Sequence, residues 1–279
     1  MKVLSVTSHV CFGHVGAQAS VLPLQRLGHD VCLVPTVLLS NHPGYGGLGG
    51  GPVKLVRLDD LMQNLIERGL LAQCGAAHSG YLGQPGTAAI ARRGIDGLRA
   101  ARPEAPYLCD PVFGDNGRLY VPEGVVDDIR TQLLPVADIA TPNAFELSVL
   151  SGLPCDDPGQ ALAACRALQS QGPGTVVCTS AAVTETEVAI VAATREAAFV
   201  AWVPRFAVAP NGTGDAFAAI LLGRLLNGVG FEQALAWAAA AVHGLIAASV
   251  ELGDSELALI EAQHEIVAPT LDVTVERIT

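Results

Sequence analysis

Apolar residues fall along the chain in short β-branched runs that alternate with longer stretches of helical spacing. That alternation predicts a mainly parallel central sheet with helices on both faces. Val3–Thr7 reads as the first strand, Gly16–Leu27 as a helix stopped by Gly28, and His29–Leu38 as the second strand. Leu58–Arg68 reads as a helix ending at Gly69, Ala76–His78 as a short strand, and Thr87–Ala100 as a helix halted by Pro103. Pro106–Cys109 leads into the loop Asp110–Asp115, followed by a helix over Val125–Leu133, a short strand at Ile139–Ala140 and a helix over Ala144–Leu150. Pro158–Gln169 is a further helix that feeds the strand Thr175–Cys178. Val188–Ala192 and Ala197–Val203 read as antiparallel strands, and helices over Gly214–Asn227, Phe231–Ser249 and from Asp254 onward complete the pattern.

Two segments break the periodicity. Asn41–Pro52 packs six glycines and two prolines into twelve residues and predicts a flexible or tightly turned loop. Ser151–Gly159 is a shorter connector. No shift in composition marks a boundary and no repeat is visible, so residues 1–279 are expected to form one domain.

Composition narrows the partners. Half of the 279 residues are hydrophobic and 15% are charged, which suits a large buried core. Lys and Arg number 16 against 27 Asp and Glu, a net charge of −11 with no basic stripe, so nucleic acid is excluded as a partner. An anionic ligand would need metal ions and backbone N–H groups to hold it. The seven cysteines form no C-x-x-C pair, and Cys32, Cys109, Cys165 and Cys178 sit in apolar runs. Buried thiols in a reducing cytoplasm are therefore expected, without a zinc site. The start, MKVLSVTSHVCFGHVG, has no long apolar core of a signal peptide. Ala234–Val250 reads as a buried helix and not a membrane span.

The candidate chemistry centres on Asn211-Gly212-Thr213-Gly214-Asp215-Ala216-Phe217, which runs straight into the apolar helix AAILLGRLL. Glycines allow close approach by a ligand, and a helix start leaves unpaired N–H groups with the positive dipole end behind them. This is an anion site in the making. Asp215 can be a helix-start cap or a general base that takes a proton from an attacking alcohol. Its surroundings favour the base. CDPVFGD sets Asp110 and Asp115 where a strand gives way to a loop, and TPNAFE sets Asn143 and Glu146 on one face of a helix start. Asn143 and Glu146 can also be a capping pair. Oxygen-bearing side chains at the carboxyl ends of strands, however, are what a Mg²⁺–phosphate site requires.

The ordered set SHVCFGHVG, SNHPGY, SGYLG, CDPVFGD with a following YVPE, TPNAFE, VVCTS and GTGDAFAA spans Ser8 to Leu226 and resembles the ribokinase superfamily, within it the pyridoxal kinases. The resemblance implies a ribokinase-like three-layer α/β sandwich without a separate lid domain. It also implies ATP as cosubstrate, Mg²⁺ as cofactor, pyridoxal as acceptor and a homodimer; whether a monovalent cation such as K⁺ joins them stays open. By the same resemblance Asp215 is the catalytic base, with Gly212, Thr213 and Gly214 as the anion hole. Asp110, Asn143 and Glu146 arrange the metal and its waters, with Asp110 and Glu146 the metal residues. Asp115, Tyr120 and Thr179 lie along the ATP site, while Ser8, Val37, His42 and Tyr81 surround the pyridine ring.

Departures gather on the acceptor side. Pro43 stands where pyridoxal kinases typically carry Thr, Leu39 where Phe is common, and GGLGGG where a Trp-bearing segment is usual. A hydroxymethylpyrimidine kinase shares the DPV, TPN-E and GTGD motifs and remains an alternative. A non-catalytic binder of vitamer or nucleotide is the alternative from another class, and product formation discriminates it.

Overall fold

The computed structural model describes residues 1–278. Its strands are β1 (Lys2–Phe12), β2 (Asp30–Asn41), β3 (Gly50–Pro52), β4 (Cys74–Ser79), β5 (Tyr107–Cys109), β6 (Gly114–Asp115), β7 (Arg118–Leu119), β8 (Ile139–Ala140), β9 (Thr175–Val183), β10 (Glu187–Ala193), β11 (Ala198–Pro204) and β12 (Val275–Ile278). The helices are α1 (Ala17–Arg26), α2 (Leu55–Glu67), α3 (Thr87–Ala101), α4 (Glu123–Asp128), α5 (Ala144–Ser151), α6 (Pro158–Gln169), α7 (Thr213–Leu226), α8 (Phe231–Leu252) and α9 (Gln263–Val267). Ten strands form one sheet in the order β12-β11-β10-β9-β8-β5-β4-β1-β2-β3, and β6 and β7 make a separate small hairpin. From β9 across to β2 all pairings are parallel; β10, β11, β12 and β3 add antiparallel edges.

The period of two along each strand divides the core into two layers. Leu4, Tyr107, Cys109, Val176 and Cys178 point into one cluster with Leu58, Met62, Leu98, Leu147 and Leu168 from the helices of that face. Their strand neighbours Val3, Leu108 and Val177 point the other way, toward Leu24, Leu222, Phe217 and Leu235. Helices on both faces of a mainly parallel sheet make the expected three-layer sandwich. α8 is long and apolar enough to span a membrane by length alone, yet Ala234, Leu235, Ala238, Ala241 and Leu245 are buried within the sandwich.

Most strand and helix expectations match within a few residues, and the exceptions have local causes. β1 continues from the expected Thr7 to Phe12 because β2 keeps pairing with it, beyond an irregularity between Thr7 and His9. No helix starts at Asp254. Gly253 ends α8 in the left-handed region, and the following amides find other partners: Ala258 N–H donates to Ser249 Oγ and Leu259 N–H to Leu257 O. Only α9 forms there, and β12 was hidden by the mixed sequence VERI. The glycine-rich segment is a tied loop, since Ser40 N–H donates to Gly49 O and β3 pairs with β2. A Cβ on Gly50, at φ +92°, would lie 2.1 Å from Leu38 O, so glycine is required for that pairing.

Leu98, fully buried on α3, is a simple probe of the sandwich. Leu98→Ala should lower the unfolding free energy by about 2–5 kcal/mol, measured as a shifted urea midpoint with an unchanged slope.

Candidate active site

The parallel ladder brings the candidate residues to one edge. Gly80 N–H donates to Val6 O within β1, Asp110 N–H to Ser79 O at the end of β4, and Thr141 N–H to Cys109 O at the end of β5. Thr179 N–H, within β9, donates to Pro142 O. Each rung places the first residues beyond a strand at its carboxyl end, the edge where ligands of doubly wound sheets bind.

Asp110 is buried there. Thr141 Oγ1 donates to its Oδ1 at 2.9 Å, while Oδ2 is buried without a partner among the described residues. Its carboxyl is pushed well above the ordinary carboxylate range by burial first, then by the nearby Glu146 and Asp215. Glu146 is a full capping box with Asn143: Asn143 Oδ1 accepts from Glu146 N–H, and Glu146 Oε2 accepts from Asn143 N–H, both at 2.9 Å. Glu146 Oε1 also accepts from Phe113 N–H at 2.9 Å, so the glutamate staples the loop after β5 to the start of α5. Asn143 Nδ2 donates to Gly114 O at 2.8 Å, which commits that side chain to the same staple. The capping function and the site are therefore one arrangement.

Asp215 sits in the first turn of α7. Its Oδ2 accepts from Gly16 N–H at 2.9 Å, and its Oδ1 is buried without a partner among the described residues. Burial raises the carboxyl to about 6 despite the opposing Gly16 bond. α7 begins at Gly212, at φ +86°, with no side-chain cap, so its first amides keep their donors free. A Cβ on Gly212 would lie 1.9 Å from His14 O, whereas one on Gly214 would meet nothing within 4 Å. The turn is pressed against the β1–α1 connection on one side and open on the other.

Of the residues expected around the acceptor, Ser8 and Val37 are buried, and Tyr81 is half-buried with its carbonyl accepting from Thr36 Oγ1. The Tyr81 ring lies 6.2 Å from that of Tyr120, so residues expected in the acceptor and ATP groups adjoin. Asp115 is exposed on the β6–β7 hairpin and caps Asn116. His42 is buried with both ring nitrogens engaged: Nδ1 accepts from Gly44 N–H at 3.1 Å and Nε2 lies 2.6 Å from Glu256 Oε1. Pro43 begins a single 3-10 turn over Pro43–Tyr45, where its missing N–H has no bond to lose.

Three residues escaped sequence reasoning. Thr141 and Gly16 stood inside quoted motifs but carried no role, and Thr7 gave no signal. A Cβ on Gly80 would lie 2.5 Å from Thr7 Oγ1 and 3.7 Å from Asp215 Oδ1, so two orphaned oxygens face the same spot across a glycine. The orphaned Oδ2 of Asp110 is a buried acceptor that suits a cation, and hard Mg²⁺ favours such oxygens. A surface cleft of about 1530 Å³ lies at the amino ends of β9 and β11 and contains none of these groups.

The family described as phosphomethylpyrimidine kinase matches residues 71–259. The chain is 40% identical to a pyridoxal kinase PdxY from Rubrobacter xylanophilus, over 100% of this chain and 98% of that protein. It is 37% identical to one from Corynebacterium diphtheriae, over 100% of both. A pyridoxal kinase from Leishmania donovani, in complex with ADP and pyridoxamine, superposes with a TM-score of 0.95 at 32% identity, covering 100% of this chain and 99% of that one.

The buried glutamate makes stability depend on pH. Burial pushes Glu146 from its ordinary 4.5 up to about 8. Between those values the folded chain keeps a proton that the unfolded chain has released, so stability falls as pH rises through that window. Denaturant unfolding of the metal-free chain should show this decline from about pH 5 to about pH 8, and Glu146→Gln should make it shallower, the raised Asp110 and Asp215 carrying the remainder.

Proposed function

The chain belongs to the pyridoxal kinase family of the ribokinase superfamily, and from that premise we propose that it transfers the γ-phosphoryl group of ATP to the 5′-hydroxymethyl of pyridoxal. The observation that carries this is the free Oδ1 of Asp215 beside the uncapped start of α7. A general base and an anion-binding helix start on one turn suit in-line transfer to an alcohol. In this mechanism Asp215 Oδ1 takes the hydroxyl proton as the alcohol oxygen bonds to phosphorus and the bond to the ADP oxygen breaks. Gly16 N–H holds the other carboxylate oxygen and fixes its aim. The amides of Gly212, Thr213 and Gly214 steady the charge on the moving group.

Asp110, through its free Oδ2, and Glu146 would hold Mg²⁺, with Asn143 keeping Glu146 in place. The ion supplies charge neutralisation on the triphosphate. Asp115, Tyr120 and Thr179 border the nucleotide in this proposal, and Ser8, Val37, His42 and Tyr81 border the pyridine ring. The engaged nitrogens of His42 favour contact through its ring face over a hydrogen bond to the ring. No step requires a monovalent cation such as K⁺. A single domain working as a homodimer in the cytoplasm completes the proposal; the family supports the dimer, and the buried thiols Cys74, Cys109, Cys165 and Cys178 support a reducing compartment. The matched family's description, phosphomethylpyrimidine kinase, favours a substituted pyrimidine as the second class of acceptor.

Parallel assays of ATP-dependent product formation with pyridoxal, pyridoxine and hydroxymethylpyrimidine test the acceptor, and pyridoxal should give the largest kcat/KM. Asp215→Asn should lower kcat by about 10²–10⁴ while the fold is retained; near-normal turnover would remove Asp215 from the base role. Because burial sets Asp215 at about 6, the base is lost to protonation at lower pH, and kcat/KM should fall about tenfold for each pH unit below that value.

A further inference from the structure

Beyond these residues one buried carboxylate, on the segment after α8, touches both loops that flank the transferred group. Glu256 is 8% exposed. Its Oε2 accepts from His14 N–H at 2.6 Å, and its Oε1 lies 2.6 Å from His42 Nε2. Since His42 Nδ1 accepts from Gly44 N–H, the ring proton is on Nε2 and is donated to Glu256. His14 and His42 are therefore both donors, the Tyr45 hydroxyl lies against the same carboxylate, and only a group with two acceptors satisfies the two histidines together. His14 Nδ1 lies 2.6 Å from Leu257 O, which ties the same two segments a second time.

Each tie leads to the reacting atoms. The His14 carbonyl lies under Gly212, and two residues on, Gly16 N–H holds Asp215. On the other side, His42 opens the turn that carries Tyr45, whose ring is 4.8 Å from His42 and 5.3 Å from Phe12. A Cβ on Gly44 would lie 3.2 Å from Asn211 Nδ2, so this turn also abuts the segment leading into α7. A Cβ on Gly13, at φ +98°, would lie 2.9 Å from Glu256 Oε1 and 2.8 Å from His42 Cδ2; the three groups close on one another without spare room.

We propose that Glu256 is a positioning residue for phosphoryl transfer: one carboxylate oxygen fixes the turn that aims Asp215, and the other fixes the glycine-rich loop beside the acceptor. The proposal rests on the kinase function above and adds the residue that sets the spacing between base and acceptor loop. Glu256 touches neither reacting atom. Its contribution passes through His14 to Gly16, and through His42 to the loop.

Glu256→Gln tests this in the full-length chain, because the amide is the same size but offers one acceptor and one donor to two donors. Loss of one hydrogen bond to a charged group predicts a fall of about 10–100-fold in kcat/KM for pyridoxal. It should be shared between a lower kcat and a higher KM for pyridoxal, while KM for ATP stays within about twofold. Glu256→Asp, which keeps both acceptors, should recover part of the loss. Amide hydrogen exchange gives a readout that needs no turnover: His14, Gly16 and Gly44 should exchange faster in Glu256→Gln, with α3 and β5 unchanged. A variant that keeps wild-type kcat/KM for pyridoxal overturns the proposal, as does unchanged protection at those three amides. An equal loss for ATP and pyridoxal with protection lost throughout reduces Glu256 to a structural role and overturns it too. Failure of the wild-type chain to phosphorylate any of the three acceptors instead overturns the kinase function, and the exchange result still decides the clamp.

Discussion

Taking a carboxylate out of water costs several kcal/mol unless charges or hydrogen bonds replace the lost hydration, and this chain does so at one sheet edge with Asp110, Glu146 and Asp215. Each receives a different partial compensation. Glu146 has amides on both oxygens, Asp110 has one hydroxyl, and Asp215 has one amide from a segment far away in sequence. Two oxygens are left bare, Asp110 Oδ2 and Asp215 Oδ1. The raised proton affinity of all three groups is the electrostatic expression of that incomplete compensation. A cation beside the first and an alcohol proton beside the second would complete it, so the unfavourable terms in the protein alone point to what it binds.

The sheet makes this concentration possible. The first residues past β4, β5 and β8 each donate their amide to a carbonyl of the neighbouring parallel strand, β1, β4 and β5 in turn. Side chains on separate loops are thereby brought to one line without any loop being long. On the opposite face of the problem, the clusters above and below the sheet alternate residue by residue along β1, β5 and β9, and this rigid support keeps the edge from relaxing around its buried charges.

Much of this was legible in the residues. Alternation of β-branched runs with helical spacing located nearly every central element, because burial on both faces leaves a strong hydrophobic signal. Asp215, Asp110, Asn143 and Glu146 stood out through their neighbours, glycines or a strand end in each case. What stayed hidden depended on pairings across the chain. Gly16 could not be recognised as the donor to Asp215, nor Thr141 as the donor to Asp110, because no local pattern encodes a partner elsewhere. Glu256 lay in SELALIE, whose apolar spacing imitates a helix, while the structure uses that segment in irregular form to present the carboxylate. The short edge strands failed for a different reason: GGP and VERI form strands only because β2 and β11 offer open edges.

The bond between Gly16 N–H and Asp215 also orders events in time. Ribosomes deliver the chain from its start, so the strands bearing Asp110 and the α5 cap can assemble while α7 is still unmade. Asp215 arrives afterwards and becomes fixed only when it meets a turn synthesised near the beginning. A half-made chain thus has Asp110 and Glu146 in place but no seated Asp215, so the three carboxylates come together only once the sandwich has closed.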